Sequence, residues 1–276
     1  PGVVDTQGQV RDLSSVMPDI TPQVLSPAGL AKLRSLDLSV LPVVQPAELG
    51  VPWSGMGKFV CIGLNYADHA KEAGMPIPQE PILFNKLANC IVGPNDDTMI
   101  PKGSKKLDWE CEIAFVIGTR ARYVEEKDAF KHIAGYAVCN DVSERHFQIE
   151  RSGQWVKGKT CETFGPLGPW LVTGDEIKDP QNLDMKLWVD DQLMQDANTK
   201  LMLFNTAEQI AHLSKCVTLH PGDVILTGTC AGTGAERGVD RLVTERISQD
   251  SADQLSLKLL VVSGLEGVSL CEVVMP

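Results

Sequence analysis

The sequence predicts an α+β fold dominated by β-structure. Short apolar or alternating runs recur from Phe59 onward, each bounded by Gly, Pro, Asn or Asp. Predicted strands outnumber predicted helices and do not alternate with them regularly, which argues against a doubly wound sheet or a parallel barrel. A chain of 276 residues that is 43% hydrophobic and 22% charged also carries enough apolar material for a packed core, unlike a disordered chain.

The elements follow in order. Asp5-Thr6-Gln7-Gly8 reads as a turn between two short strands, and residues 26–36 carry helix-period apolar residues behind a cap at Ser26. Pro42, Pro46 and Pro52 then break the chain. Residues 1–55 are therefore expected to form a small N-terminal module with a Pro-rich connector, and 56–276 the main domain. Strands are expected at 59–63, 110–117, 134–140, 183–189, 224–227 and 255–262. Helices are expected at 67–73, 126–132, 143–151 and 206–215.

Charge and cysteine usage narrow the function. Lys and Arg total 25 against 36 Asp and Glu, a formal charge of −11, so nucleic acid and anionic lipid are poor partners. An anionic small molecule remains feasible if a cation or local Lys and Arg supply positive charge. No run approaches the roughly 18 apolar residues of a membrane span. Residues 1–10 show neither the basic start nor the apolar core of a signal peptide. The eight cysteines include no C-x-x-C pair, and several sit inside apolar runs. They read as buried free thiols, and a cytoplasmic location is expected.

Five segments carry candidate chemistry. In Asp108-Trp109-Glu110-Cys111-Glu112, strand geometry puts Glu110 and Glu112 on one face, about 6–7 Å apart. Such a pair is costly to bury without a proton or a hard cation between the carboxylates, although a solvated edge face is the commoner fate of Glu-x-Glu. Asn140-Asp141-Val142-Ser143-Glu144-Arg145 fits a helix N-terminal cap. Equally, Asp141, Arg145 and Gln148 share one helical stripe and could enter one site. His69 and Glu72 stand one helical turn apart, as a general base and its orienter would, or as an ordinary surface pair. Gly158-Lys159-Thr160 lacks the upstream glycine of a phosphate loop, so nucleotide binding is excluded; Lys159 meets an anion or lies in an exposed loop. Finally, a buried strand runs into Gly228-Thr229 and a Gly/Thr loop, which is either an anion site or a tight turn.

In this order the segments resemble the fumarylacetoacetate hydrolase family. The likeness rests on Gly63-Leu64-Asn65-Tyr66-Ala67-Asp68-His69, Asp108-Trp109-Glu110-Cys111-Glu112 and Asn140-Asp141-Val142-Ser143-Glu144-Arg145. Lys159 with Thr163-Phe164-Gly165-Pro166, and Pro221-Gly222-Asp223 through Gly228-Thr229, extend it. The resemblance implies a mixed β-sandwich roll, a homodimer and one bound Mg²⁺ or Mn²⁺. It implies that Glu110, Glu112 and Asp141 are the metal carboxylates and that His69 and Glu72 form a catalytic dyad on a segment that orders as a lid. Lys159 becomes catalytic, and Arg145, Gln148 and Thr229 become substrate contacts.

The implied reaction is hydrolytic cleavage of a carbon–carbon bond in a 2,4-dioxo acid. The segments are similar to a bacterial branch acting on 2,4-diketo-3-deoxy sugar acids such as rhamnonate or fuconate derivatives. Ureidoglycolate lyase, oxaloacetate decarboxylase, acylpyruvase and a catalytically silent ligand-binding relative are the alternatives on the same fold. Two departures stand out: Glu162 replaces the usual Asp, and residues 234–250 do not resemble the loop that usually follows Gly-Thr.

Overall fold

A computed structural model describes residues 1–45, 48–189 and 192–234, together with the backbone of two strands at 257–262 and 273–274. The chain opens on β1 (Gly2–Val4) and β2 (Val10–Asp12), and β3 (Val43–Val44) completes a three-stranded antiparallel sheet. Asp5 closes the intervening turn by accepting the Gln7 and Gln9 N–H groups. Helix α1 (Pro27–Arg34) starts where expected: the Ser26 hydroxyl accepts from the Gly29 N–H, and proline takes the first helical position.

Beyond these lie β4 (Phe59–Gly63), α2 (Ala67–Glu72), β5 (Ile82–Lys86), β6 (Ile91–Val92), β7 (Leu107–Asp108), β8 (Cys111–Ile117), β9 (Ile133–Asn140) and β10 (Ser143–Glu144). Then come α3 (Val156–Lys159), β11 (Gly165–Thr173), β12 (Asp184–Val189), β13 (Gln192–Asn198), α4 (Thr206–Cys216), β14 (Val224–Leu226), β15 (Leu257–Val262) and β16 (Val273–Val274). A seven-stranded mixed sheet runs β5-β4-β14-β8-β9-β11-β6, and a four-stranded antiparallel sheet runs β13-β12-β15-β16. Within the larger sheet, β14 lies parallel to β4 and β6 parallel to β11.

The period of two along β8 divides the core. Ile113, Phe115 and Ile117 pack with Met185 and Leu187 of β12 and with Ile210 and Leu213 of α4. Ala114 and Val116 pack on the other side with Phe59, Cys61, Val224 and Leu226, joined by Leu30, Trp53 and Leu167. Each large apolar side chain buried this way contributes about 1.5–3 kcal/mol. Helix α4 is fixed by a capping box, in which Asn205 accepts from Ala207 and Glu208 N–H while Glu208 accepts from Asn205 N–H.

The expectation of one helix over 143–151 is corrected. Ser143 and Glu144 pair with β7, and only 146–150 wind, as a single π turn. The reason is that Ser143 and Glu144 are drawn into pairing with β7, where one Glu144 oxygen accepts from the Lys105 and Lys106 N–H groups and the other from the Phe147 N–H at the start of the turn. Strands β5, β11 and β13 were not expected. Strand β11 carries Pro166 and Pro169, which read as loop residues, and β13 is largely polar. Residues 235–250 and 264–267 lie outside the described residues. Among those described, no helix is long and apolar enough to cross a membrane.

Candidate active site

Strand pairing gathers the sequence motifs at one end of the large sheet. Cys111 at the start of β8 pairs with Asn140 at the end of β9, and Leu226 at the end of β14 pairs with Cys61 and Ala114. The segments after β4, β9 and β14 therefore meet Glu110 and Glu112 at the head of β8. Asn65 ties two of these segments together, its side-chain amide donating to Thr227 and Phe204 carbonyls. Gly228 has φ +97°, and its N–H donates to Glu112 Oε2 at 2.7 Å. A Cβ there would stand 2.6 Å from Asn65 Cβ, so the close approach requires glycine.

Glu110, Glu112 and Asp141 form a buried cluster in which one oxygen of each lies within 4.8 Å of the others. Three cations surround it. Lys159 Nζ lies 2.5 Å from Glu110 Oε2 and 2.8 Å from Asp141 Oδ2. Lys86 Nζ lies 2.6 Å from Asp141 Oδ1, and Arg145 contacts Glu110 Oε1 at 2.6 Å. Arg145 is itself held by Asp108 at 2.7 Å and donates to Gln148 Oε1 at 3.0 Å. Burial pushes the Glu110 carboxyl up, but Lys159 and Arg145 outweigh it and hold that carboxyl well below the usual range. Glu112 goes the other way: burial, then the Asp141 and Glu110 charges, raise it well above a normal carboxyl.

The dyad sits on α2. His69 Nδ1 faces Glu72 Oε2 at 3.4 Å, and both Glu72 oxygens accept from the Gly232 N–H at 3.0 and 3.1 Å. His69 is buried and lies within electrostatic reach of Glu110. Thr229 lies beside the cluster with its hydroxyl donating to the Cys111 carbonyl and accepting from Gln195 Nε2. The Gly/Thr loop does bind anions through its backbone, but in this structure they are the protein's own: Glu112, Glu72 and Asp108 take the N–H groups of Gly228, Gly232 and Gly234.

The three carboxylates fit a hard divalent cation. All three donors are oxygen, none is thiolate or imidazole, and among the described residues Glu112 has its two carboxylate neighbours but no ion pair with lysine or arginine. Neither bland reading of these motifs describes the structure. Glu110 and Glu112 are not a solvated edge, and Asp141 pairs with two buried lysines instead of capping a helix.

Sequence reasoning missed three residues of the site. Lys86 stands at the end of an apolar strand, where a buried lysine is itself a signal of a buried acid. Asp108 stands in the Asp-Trp-Glu motif, where nothing marks it for a role apart from Glu110, and Gln195 lies in a polar strand with no pattern pointing to it. Asn140 offers a further buried donor, since its Oδ1 accepts from the Glu110 N–H while its Nδ2 has no hydrogen-bond partner among the described residues.

Comparisons with known proteins place the chain in a family. The family model described as "Fumarylacetoacetate (FAA) hydrolase C-terminal" matches residues 58–258. A protein of Burkholderia multivorans named only as a hydrolase is 56% identical over 235 residues, spanning 85% of this chain and 83% of that protein. The maleylpyruvate hydrolase of Sphingobium sp. SYK-6, solved in complex with manganese(II) and pyruvate, superposes with TM-score 0.78 at 27% identity, covering 99% of this chain and 94% of that one. The 5-carboxymethyl-2-hydroxymuconate delta-isomerase of Mycobacterium smegmatis gives TM-score 0.67 at 34% identity, covering 83% and 81%. The chain belongs to the fumarylacetoacetate hydrolase family.

Proposed function

We propose that this member of the family is a divalent-metal-dependent hydrolase that splits a carbon–carbon bond in a 2,4-dioxo acid, releasing pyruvate and a second acid. The observation that carries the reading is the buried Glu110, Glu112 and Asp141 cluster with the His69–Glu72 pair beside it. Glu110, Glu112 and Asp141 would hold Mg²⁺ or Mn²⁺, which when bound supplies Lewis-acid polarisation of a 2-oxo acid. The similarity to a hydrolase solved with manganese and pyruvate supports the same choice.

The chain's own residues account for the proton and charge movements. His69 turns Nδ1 to the Glu72 carboxylate, which leaves Nε2 to take a proton from water attacking the distal carbonyl. As the bond between that carbon and the methylene breaks, its electron pair passes to the pyruvate fragment. The Lys159 ammonium stabilises the negative charge there, and the proton held on His69 returns to the methylene carbon. Arg145, Gln148 and Thr229 are the proposed substrate contacts. Asp108, Glu110 and Asp141 balance Lys86, Lys159 and Arg145, while burial and its carboxylate neighbours favour the protonated form of Glu112; a divalent cation that displaced that proton would leave the site with the positive sign an anionic acid requires.

A 2,4-diketo-3-deoxy sugar acid is the proposed substrate, and a homodimer the proposed assembly. Similarity to an isomerase on this fold favours one second reading, proton relocation without bond cleavage. Both are tested by assaying pyruvate release, with and without Mg²⁺ or Mn²⁺, from a panel of 2,4-dioxo acids, oxaloacetate and ureidoglycolate. Metal-dependent pyruvate from a dioxo acid, abolished in Glu110→Ala, supports the hydrolase. Pyruvate from oxaloacetate alone makes it a decarboxylase, and glyoxylate from ureidoglycolate a lyase. An absorbance change on an unsaturated 2-oxo diacid without pyruvate favours the isomerase, and silence across the panel with metal still bound the inactive relative.

A further inference from the structure

We infer that Asp108 is a positioning residue that couples the carboxylate cluster to the His69–Glu72 dyad. Its carboxylate works in two directions. Oδ2 accepts from Arg145 Nε at 2.7 Å, and the same guanidinium reaches Glu110 Oε1 at 2.6 Å. Oδ1 accepts from the Gly234 N–H at 2.5 Å and from the Trp109 N–H at 2.8 Å. Asp108 is buried, so these bonds are not shared with bulk water and each is stronger for it.

The loop that Asp108 grips is the one that holds the dyad. Gly232, two residues before Gly234, donates its N–H to both Glu72 oxygens, while its carbonyl accepts from Trp109 Nε1 at 3.2 Å. Adjacent residues of one segment thus clamp the loop at Gly232 and Gly234, and Glu72 hangs from Gly232. The approach is tight: a Cβ on Gly234 would stand 2.8 Å from Asp108 Oδ1 and 2.9 Å from the Trp109 ring. A continuous chain of contacts runs Glu110, Arg145, Asp108, Gly234, Gly232, Glu72, His69. Through it the base is set relative to the cluster.

The kinetic part of the test rests on the proposed function, whereas the exchange part does not. Asp108→Asn keeps the shape and the acceptor for Gly234 but presents an amide N–H₂ or a weaker acceptor to Arg145. Trp109→Phe removes only the Gly232 bond. Hydrogen exchange is followed in peptides covering 66–73 and 228–234, with Leu30→Val in α1, in the core on the other side of β8, as a control for general loss of stability. Asp108→Asn is expected to speed exchange in both peptides by roughly tenfold or more, and the control to leave 66–73 unchanged. With the acid of the panel turned over fastest, Trp109→Phe lowers kcat roughly tenfold at constant KM, and Asp108→Asn lowers kcat and raises KM together. Exchange at 66–73 that stays at the wild-type rate in Asp108→Asn, or that rises equally in Leu30→Val, overturns the coupling. If no acid is turned over, the proposed function fails while the exchange result still decides the role of Asp108.

Discussion

Lys86 and Asp141 are fully buried partners, Nζ to Oδ1 at 2.6 Å, although 55 positions separate them in the sequence. The pair joins the end of β5 to the segment after β9 and fixes one oxygen of Asp141, leaving the other to Lys159. Burial lowers the Lys86 ammonium, but the Asp141 charge more than reverses this and keeps it protonated. A buried ion pair of this kind matters less for net stability than for where it places the acid.

Lys86→Met therefore strands part of a buried carboxylate. The expected loss is about 3–5 kcal/mol, read from urea denaturation of the cation-free protein. A loss below 1 kcal/mol would mean that Lys159 alone satisfies Asp141.

Cation binding should stabilise the fold through the three carboxylates. At a hundred times its Kd, Mn²⁺ adds about 2.7 kcal/mol, seen as a rise in Tm. Glu112→Ala is expected to abolish that rise, because it removes a ligand without uncovering Lys86 or Lys159.

His69→Ala separates base chemistry from binding. The expected fall in kcat is about 10²–10⁴-fold, with Mn²⁺ affinity by calorimetry unchanged. Undiminished turnover with metal bound would remove His69 from the mechanism.

Glu72 carries a pH dependence of definite sign. Burial raises its carboxyl, but the His69 and Gly232 hydrogen bonds outweigh this and hold it below its ordinary value of 4.5. The folded state thus binds the proton less readily than the unfolded chain. The stabilisation is present in full above pH 4.5 and disappears as pH falls through the lower folded value. Glu72→Gln is expected to cost about 1 kcal/mol at pH 7, a figure reduced for partial solvent exposure, and the gap to wild type closes in acid.

What was legible in the sequence follows from locality. Strands β4, β8 and β9 show in short apolar runs, and α4 shows as a helical pattern over 206–215, because each pattern lies within a few residues. The cluster of Glu110, Glu112 and Asp141 was accessible through motif order, and the structure brings the three together. Ser143-Glu144 misled because a local cap signal competed with long-range pairing to Leu107–Asp108, and the pairing won. Lys86, Asp108 and Gln195 stayed hidden because their significance lies in partners 30 to 130 residues away: Asp141, Gly234 and Thr229. Proline-containing β11 stayed hidden because its partners, not its residue types, make it a strand.

The central claim is that water breaks a carbon–carbon bond at this site, and isotopic labelling tests it directly. The acid turned over fastest is incubated in H₂¹⁸O with Mn²⁺, and the second acid is examined by mass spectrometry. One ¹⁸O in its new carboxylate, absent in His69→Ala, is the predicted result. A product with unlabelled carboxylate, or one formed with loss of carbon dioxide or without any bond cleavage, would contradict it.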